Sequence, residues 1–291
     1  MRLGDLPATN GLATAAGKGT MAAAGVAVAA ATAGGAVYAV QDGKSTPTPS
    51  PAPAAVVTLA ADNQTLTGPA IQLQNARYPK VTGLRNPALE RKVNAALHEP
   101  IDRLVASARR LATSVDCKGK PVKLGTETRL GLRGPRLVSV RYFMLSDNCQ
   151  QADGSPGGEV VTVDLRTGRR LTAADVFLPA TLTPAGARRL SELVPQKPSP
   201  NERRWRDCDP TGVFELSDIL PRKGTQGAPG MEGTPFLSPF FTPTGFELSF
   251  LAGGSDGCGN LNFGAPYASV RGLLKPEIAA LLPSSPAPKR S

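Results

Sequence analysis

Residues 87–115 run PALERKVNAALHEPIDRLVASARRLATSV, and residues 122–146 run VKLGTETRLGLRGPRLVSVRYFMLS. The first stretch spaces Leu89, Val93, Leu97, Ile101, Leu104, Val105, Ala108 and Leu111 three or four residues apart. That spacing lines one face of an α-helix. Asn86 stands at the N-cap and Pro87 at the first helical position, where an absent amide hydrogen costs nothing. Pro100 lies inside the pattern and predicts a kink or two consecutive helices, because its ring removes a backbone bond and crowds the preceding turn. The second stretch predicts two strands, 122–132 and 136–146, joined through Gly131-Leu132-Arg133-Gly134-Pro135.

Further along, GEVVTVDL (158–165), a turn at Arg166-Thr167-Gly168 and RRLT form a second predicted hairpin. Residues 172–177 predict a helical turn, and Leu182–Leu193 a second amphipathic helix with Thr183 and Pro184 at its start. Strands are predicted at 212–216, 236–241 and 246–251, and a last short helix from Pro266 to Leu282. Helices and antiparallel hairpins in blocks, without alternation of strand and helix, define an α+β class. The expected architecture is antiparallel hairpins packed with a long N-terminal helix and shorter helices, in a single exported domain.

Export follows from residues 19–41, GTMAAAGVAVAAATAGGAVYAVQ, which contain no charge. About 20 apolar residues suffice to span a bilayer as a helix. Arg2 and Lys18 precede the segment, consistent with residues 1–18 as a short cytoplasmic N-terminus. A secretory signal cleaved after Ala39 in Val37-Tyr38-Ala39 is the other reading. The domain is therefore either held in the cell membrane by one span or secreted. Residues 42–55, DGKSTPTPSPAPAA, are too proline-rich for helix or sheet. A linker is drawn over 42–63, the folded domain over 64–283 and a disordered tail over 284–291.

The cysteines suit that compartment. Cys117, Cys149, Cys208 and Cys258 form an even set without a C-x-x-C pair, which indicates two disulfides rather than a zinc or redox site. Four cysteines allow three connectivities. The hairpin over 122–146 brings residues near 117 and 149 together at its open end, giving Cys117–Cys149 and leaving Cys208–Cys258. Without residues 1–40 the chain keeps 31 basic and 22 acidic side chains, a net charge of +9. Export and the scatter of the basic residues argue against nucleic acid, and 5% aromatic residues offer little to stack bases on.

The order of motifs resembles an RsiV-type extracytoplasmic domain. Tyr78-Pro79-Lys80-Val81 and the following helix with Val93-Asn94 match that family's opening. Val163 to Thr172 is similar to its Asp-x-x-Thr-Gly-x-x-Leu turn, and Ala174-Asp175-Val176-Phe177 to the segment after it. Thr244–Leu251 resembles its penultimate strand and Pro266–Leu274 its closing helix. The likeness spans about 78–282 and implies a compact α+β exported domain. Such domains occur in lysozyme-sensing anti-sigma factors, beside wall deacetylases and in secreted mycobacterial antigens. Where many relatives carry Gly-Gly-Ala-His, this chain has Gly157-Gly158-Glu159, so no role of that stretch is carried over. Eighteen residues before the apolar segment are too few for a sigma-factor-binding domain.

Chemistry is sparse. Gly253-Gly254-Ser255-Asp256-Gly257 matches the G-x-S-x-G elbow, which needs a helix directly after it. Cys258 to Gly264 is a poor helix start, and His98, the only histidine, precedes Ser255. His98 is expected as a partly exposed structural residue at the edge of the first helix. Asp207, Asp209 and Asp256 lack calcium-loop spacing. No cofactor and no catalytic residue are expected. The remaining feature is Glu202-Arg203-Arg204-Trp205-Arg206-Asp207, with the only tryptophan among three arginines. Arginine grips oxyanions bidentately and tryptophan stacks or sits at interfaces. Arg203, Arg204, Trp205 and Arg206 are therefore the expected contacts for an anionic envelope polymer, a lipid headgroup or an acidic protein. A basic lysozyme is a poor electrostatic match for a domain of this charge.

Overall fold

Helix α1 (Pro87–Ala112) organises the domain. In this computed structural model the described residues are 55–66, 71–112, 119–147, 157–197, 204–209, 211–222, 233–252, 258 and 260–284. Asn86 caps α1 as expected, its Oδ1 accepting from the amides of Ala88 (2.9 Å) and Leu89 (3.2 Å). The helix runs on through Pro100, which is buried, as one helix rather than two. Its buried stripe is Val93, Leu97, Ile101, Leu104 and Ala108.

That stripe packs on a six-stranded sheet ordered β1 (Val56–Leu66), β2 (Ile71–Thr82), β3 (Val122–Arg133), β4 (Leu137–Asp147), β5 (Gly158–Asp164) and β6 (Arg169–Arg170). The two predicted hairpins are present as β3–β4 and β5–β6. The linker drawn over 42–63 is too long, because Val56–Leu66 is a strand paired antiparallel along β2. Its outer residues are mostly exposed, so the chain lacks the apolar alternation that marks a strand. One pair departs from the expected hairpin pattern. β2 and β3 run parallel, with α1 as the crossover between them. Asn94 locks this unit, accepting from the Val81 amide and donating to the Val81 carbonyl, both at 2.8 Å.

Strand alternation gives the sheet two faces. Val138, Val140, Tyr142, Val161 and Val163 face α1 in one core. Ser139 and Thr162 point the other way, sharing a 2.8 Å hydroxyl bond, and Ser139 Oγ accepts from the Phe241 amide at 3.2 Å. That second face meets a three-stranded antiparallel sheet, β7 (Leu237–Phe241), β8 (Phe246–Leu251) and β9 (Asn260–Ala265). Gly131 permits the approach. A Cβ there would lie 2.1 Å from the Phe241 carbonyl oxygen, inside contact distance.

Short helices close the second core: α2 (Ala173–Val176), α3 (Pro184–Leu193), α4 (Trp205–Cys208), α5 (Leu216–Ile219), α6 (Tyr267–Val270) and α7 (Pro276–Ala279). α2 and α3 sit where expected, and Thr183 caps α3 by accepting from the Gly186 amide at 3.0 Å. The strand expected at 212–216 is absent. Asp218 instead accepts from the Glu215 amide at 2.9 Å and opens α5. The last helix is interrupted by a 3-10 turn and by Pro276, which starts α7. No described helix is long and apolar enough to cross a membrane, and residues 19–41 lie outside the described residues.

Candidate functional site

The turn after β5 explains why its sequence motif takes the form it does. Asp164 accepts from the Arg166 amide through its side chain (2.9 Å) and from the Gly168 amide through its carbonyl (2.8 Å). Gly168 sits at φ 64°, a conformation that a side chain disfavours. Asp175 then accepts from the Thr172 amide at 2.8 Å to open α2. Burial pushes the Asp164 carboxyl up, but the Arg136 guanidinium and the Arg166 amide outweigh it and hold it below its ordinary value. This turn aims Arg170 back toward α1.

There the side chains form a closed ring of charge. Glu159 on β5 has a side chain only 1% exposed and engages both Arg103 of α1 and Arg170 of β6, the latter at 2.5 Å. Glu99, one helical turn before Arg103 and half-exposed, pairs with Arg103 and lies 3.8 Å from Arg170. Arg103 Nε is buried and has no hydrogen-bond partner among the described residues. Glu99, Arg103 and Arg170 of the ring line a cleft of about 270 Å³, together with Val160, Val176, Ile219, Ser238 and Pro239 among others.

A second buried acid repeats the pattern. Glu247 on β8 is 3% exposed in its side chain, takes a bidentate grip from Arg129 (2.7 and 3.0 Å) and pairs with Lys197 at 2.6 Å. Burial pushes its carboxyl up, and Arg129 and Lys197 more than offset this, holding it low. His98 completes the polar inventory. Its Nε2 lies 2.8 Å from Asp62 on β1 and its Nδ1 3.1 Å from Asp102, with Tyr78 edge-on at 4.7 Å. Burial alone pulls the imidazole down, but the bonds to Asp62 and Asp102 outweigh it and raise it above its ordinary value. Both ring nitrogens are thus committed to carboxylates, in keeping with a structural histidine. Among the described residues no three His, Cys, Asp or Glu side chains gather into a metal-sized group.

The residues expected to bind a ligand fall on and before α4. Arg204 and Arg206 are exposed, whereas Arg203 and the Trp205 side chain lie outside what is described. Cys208 ends this turn and is bonded to Cys258, as expected. Cys117 and Cys149 lie outside the described residues, as does Gly253–Gly257. After that glycine stretch comes strand β9 rather than the helix a nucleophile elbow requires. The charge ring escaped sequence reasoning, although one signal was present: glutamate in an otherwise apolar strand, GEVVTV, demands buried partners.

These features define an α+β domain whose interior carboxylates are bridged by cations. No family model and no curated protein matches the chain. Among solved structures, it is similar to a DUF3298 family member from Bacteroides fragilis, with a TM-score of 0.42 and 16% identity over 79% of this chain and 98% of that one. It is also similar to a DUF3298 family protein from Pseudomonas aeruginosa, with a TM-score of 0.42 and 14% identity over 81% of this chain and 98% of that one.

Proposed function

We propose that this chain is a non-catalytic binding domain of the cell envelope, tethered to the membrane through residues 19–41, that engages an anionic partner. The partner is an envelope polymer, a lipid headgroup or an acidic protein. One observation carries the reading: Arg204 and Arg206 are exposed on a turn pinned by Cys208–Cys258, while Glu159 and Glu247 inside are each held by two cations. Glu247, held low by Arg129 and Lys197 against the effect of burial, is a poor proton acceptor, because protonation would strand two positive charges. The exposed arginines, in a chain of net charge +9 beyond residue 40, instead favour oxyanions. The RsiV-type order of motifs over 78–282 supports an exported binding role.

The test is binding of the full chain to immobilised poly-glutamate and to phosphatidylglycerol vesicles, with phosphatidylcholine vesicles as the neutral control. Affinity should fall steeply as salt rises. At about 1 kcal/mol per basic residue near an anionic surface, Arg203→Ala with Arg204→Ala should weaken binding by about thirtyfold at low salt. Salt-insensitive binding to a basic lysozyme, untouched by the double substitution, would refute the proposal.

A further inference from the structure

We infer that the cleft beside the Arg103–Glu159–Arg170–Glu99 ring is a binding site for a small carboxylate with a short apolar chain. It is separate from the arginine turn before Cys208 and does not depend on it. The two glutamates of the ring are not equivalent. Glu159 is buried and is held by both arginines. Glu99 is 49% exposed, accepts from Arg103 of its own helix and stands 3.8 Å from Arg170, beyond hydrogen-bond distance. The two guanidinia and Glu159 together leave one positive charge, for which Glu99 is only the resident counter-ion.

The arginines face the cleft with about a quarter of their side chains exposed. An incoming carboxylate displaces Glu99 toward solvent and takes the two-pronged contact that guanidinium groups give such ions. Arg103 Nε, buried without a partner among the described residues, leaves this guanidinium short of one acceptor there. The rest of the cleft suits an apolar body. Val160, Val176 and Ile219 line it, with Thr162 and Thr172 beside them, and Ser238 lines it from the β7 face that also carries Phe240, packed against Val160. A volume of about 270 Å³, at about 30 Å³ per water-sized group, holds about nine non-hydrogen atoms. That is the size of a short acyl chain or an acylated amino acid.

Hexanoate is a suitable probe, with hexylamine and 1-hexanol matched to it in chain length. Calorimetric titration of the full chain in mild detergent should show one site for hexanoate and none for hexylamine. Glu99→Gln removes the competing carboxylate from an exposed position and should tighten hexanoate by about two- to fivefold, the worth of an exposed ion pair. Ser238→Leu fills the cleft from β7 with the ring residues unchanged and should weaken hexanoate by about tenfold or more, its circular dichroism confirming the fold. Equal binding of hexylamine, weaker or unchanged binding by Glu99→Gln, or unchanged binding by a folded Ser238→Leu variant would each overturn the assignment. The Arg203→Ala with Arg204→Ala substitution in the polyanion assay tests the arginine turn and leaves the cleft residues unchanged, so the two readings fail independently.

Discussion

Glu159 and Glu99 share the same two arginines and differ in burial, which makes them a matched pair for measuring what burial contributes. Glu159→Gln removes a charge from a side chain 1% exposed and leaves Arg103 and Arg170 facing each other across an uncharged amide. Breaking a fully buried pair costs about 3–5 kcal/mol, because the abandoned charge cannot reach water. Here the guanidinia are 24% and 25% exposed, so solvent recovers part of that penalty and about 2–3 kcal/mol is expected. Glu99→Gln removes a charge that is 49% exposed, and about 0–1 kcal/mol is expected. Urea denaturation of the full chain followed by far-UV circular dichroism gives both values from the shift in midpoint at constant slope. The denaturation midpoint should fall clearly for the first variant and barely for the second. Equal costs, or a larger cost for Glu99→Gln, would show that the ring is not organised around a buried acid.

His98 predicts a pH dependence. Its folded pKa is raised by Asp62 and Asp102, so its stabilisation is fully present below about pH 6.5 and is lost as pH rises through the folded value. Urea midpoints should decline over that window, and Asp62→Asn should flatten the decline; an unchanged profile would refute the linkage. Cys208–Cys258 closes a loop with a sequence separation of 50, worth about 4 kcal/mol in the chain-entropy model, so Cys208→Ser should lower the melting temperature strongly. Non-reducing peptide mapping should also recover Cys117 linked to Cys149. Finally, mass spectrometry of the N-terminus should find residues 19–41 retained in the membrane fraction, whereas a chain beginning at Val40 in the medium would indicate a cleaved signal.

Features made by neighbours in the chain were visible from the residues alone. The Asn86 cap, the stripe from Val93 to Ala108, the hairpin turning at Gly134 and the Asp164–Gly168 turn each arise from contacts a few residues apart, with the right residue type in place. Strand β1 was not visible, because an edge strand with mostly exposed residues has no periodicity to betray it and is set by pairing with β2. The parallel β2–β3 pair was hidden for a related reason: α1 reads as a helix whichever way the flanking strands run. The carboxylate clusters lie furthest from sequence logic. Arg103 meets Glu159 across 56 residues, and Arg129 meets Glu247 across 118. Local pattern determined α1, the β3–β4 and β5–β6 hairpins and the α+β class, since periodicity and turn chemistry act over a few residues. Only the packed fold decided which charges meet, because a buried carboxylate takes its partners from whatever strand or helix the sheet order brings beside it.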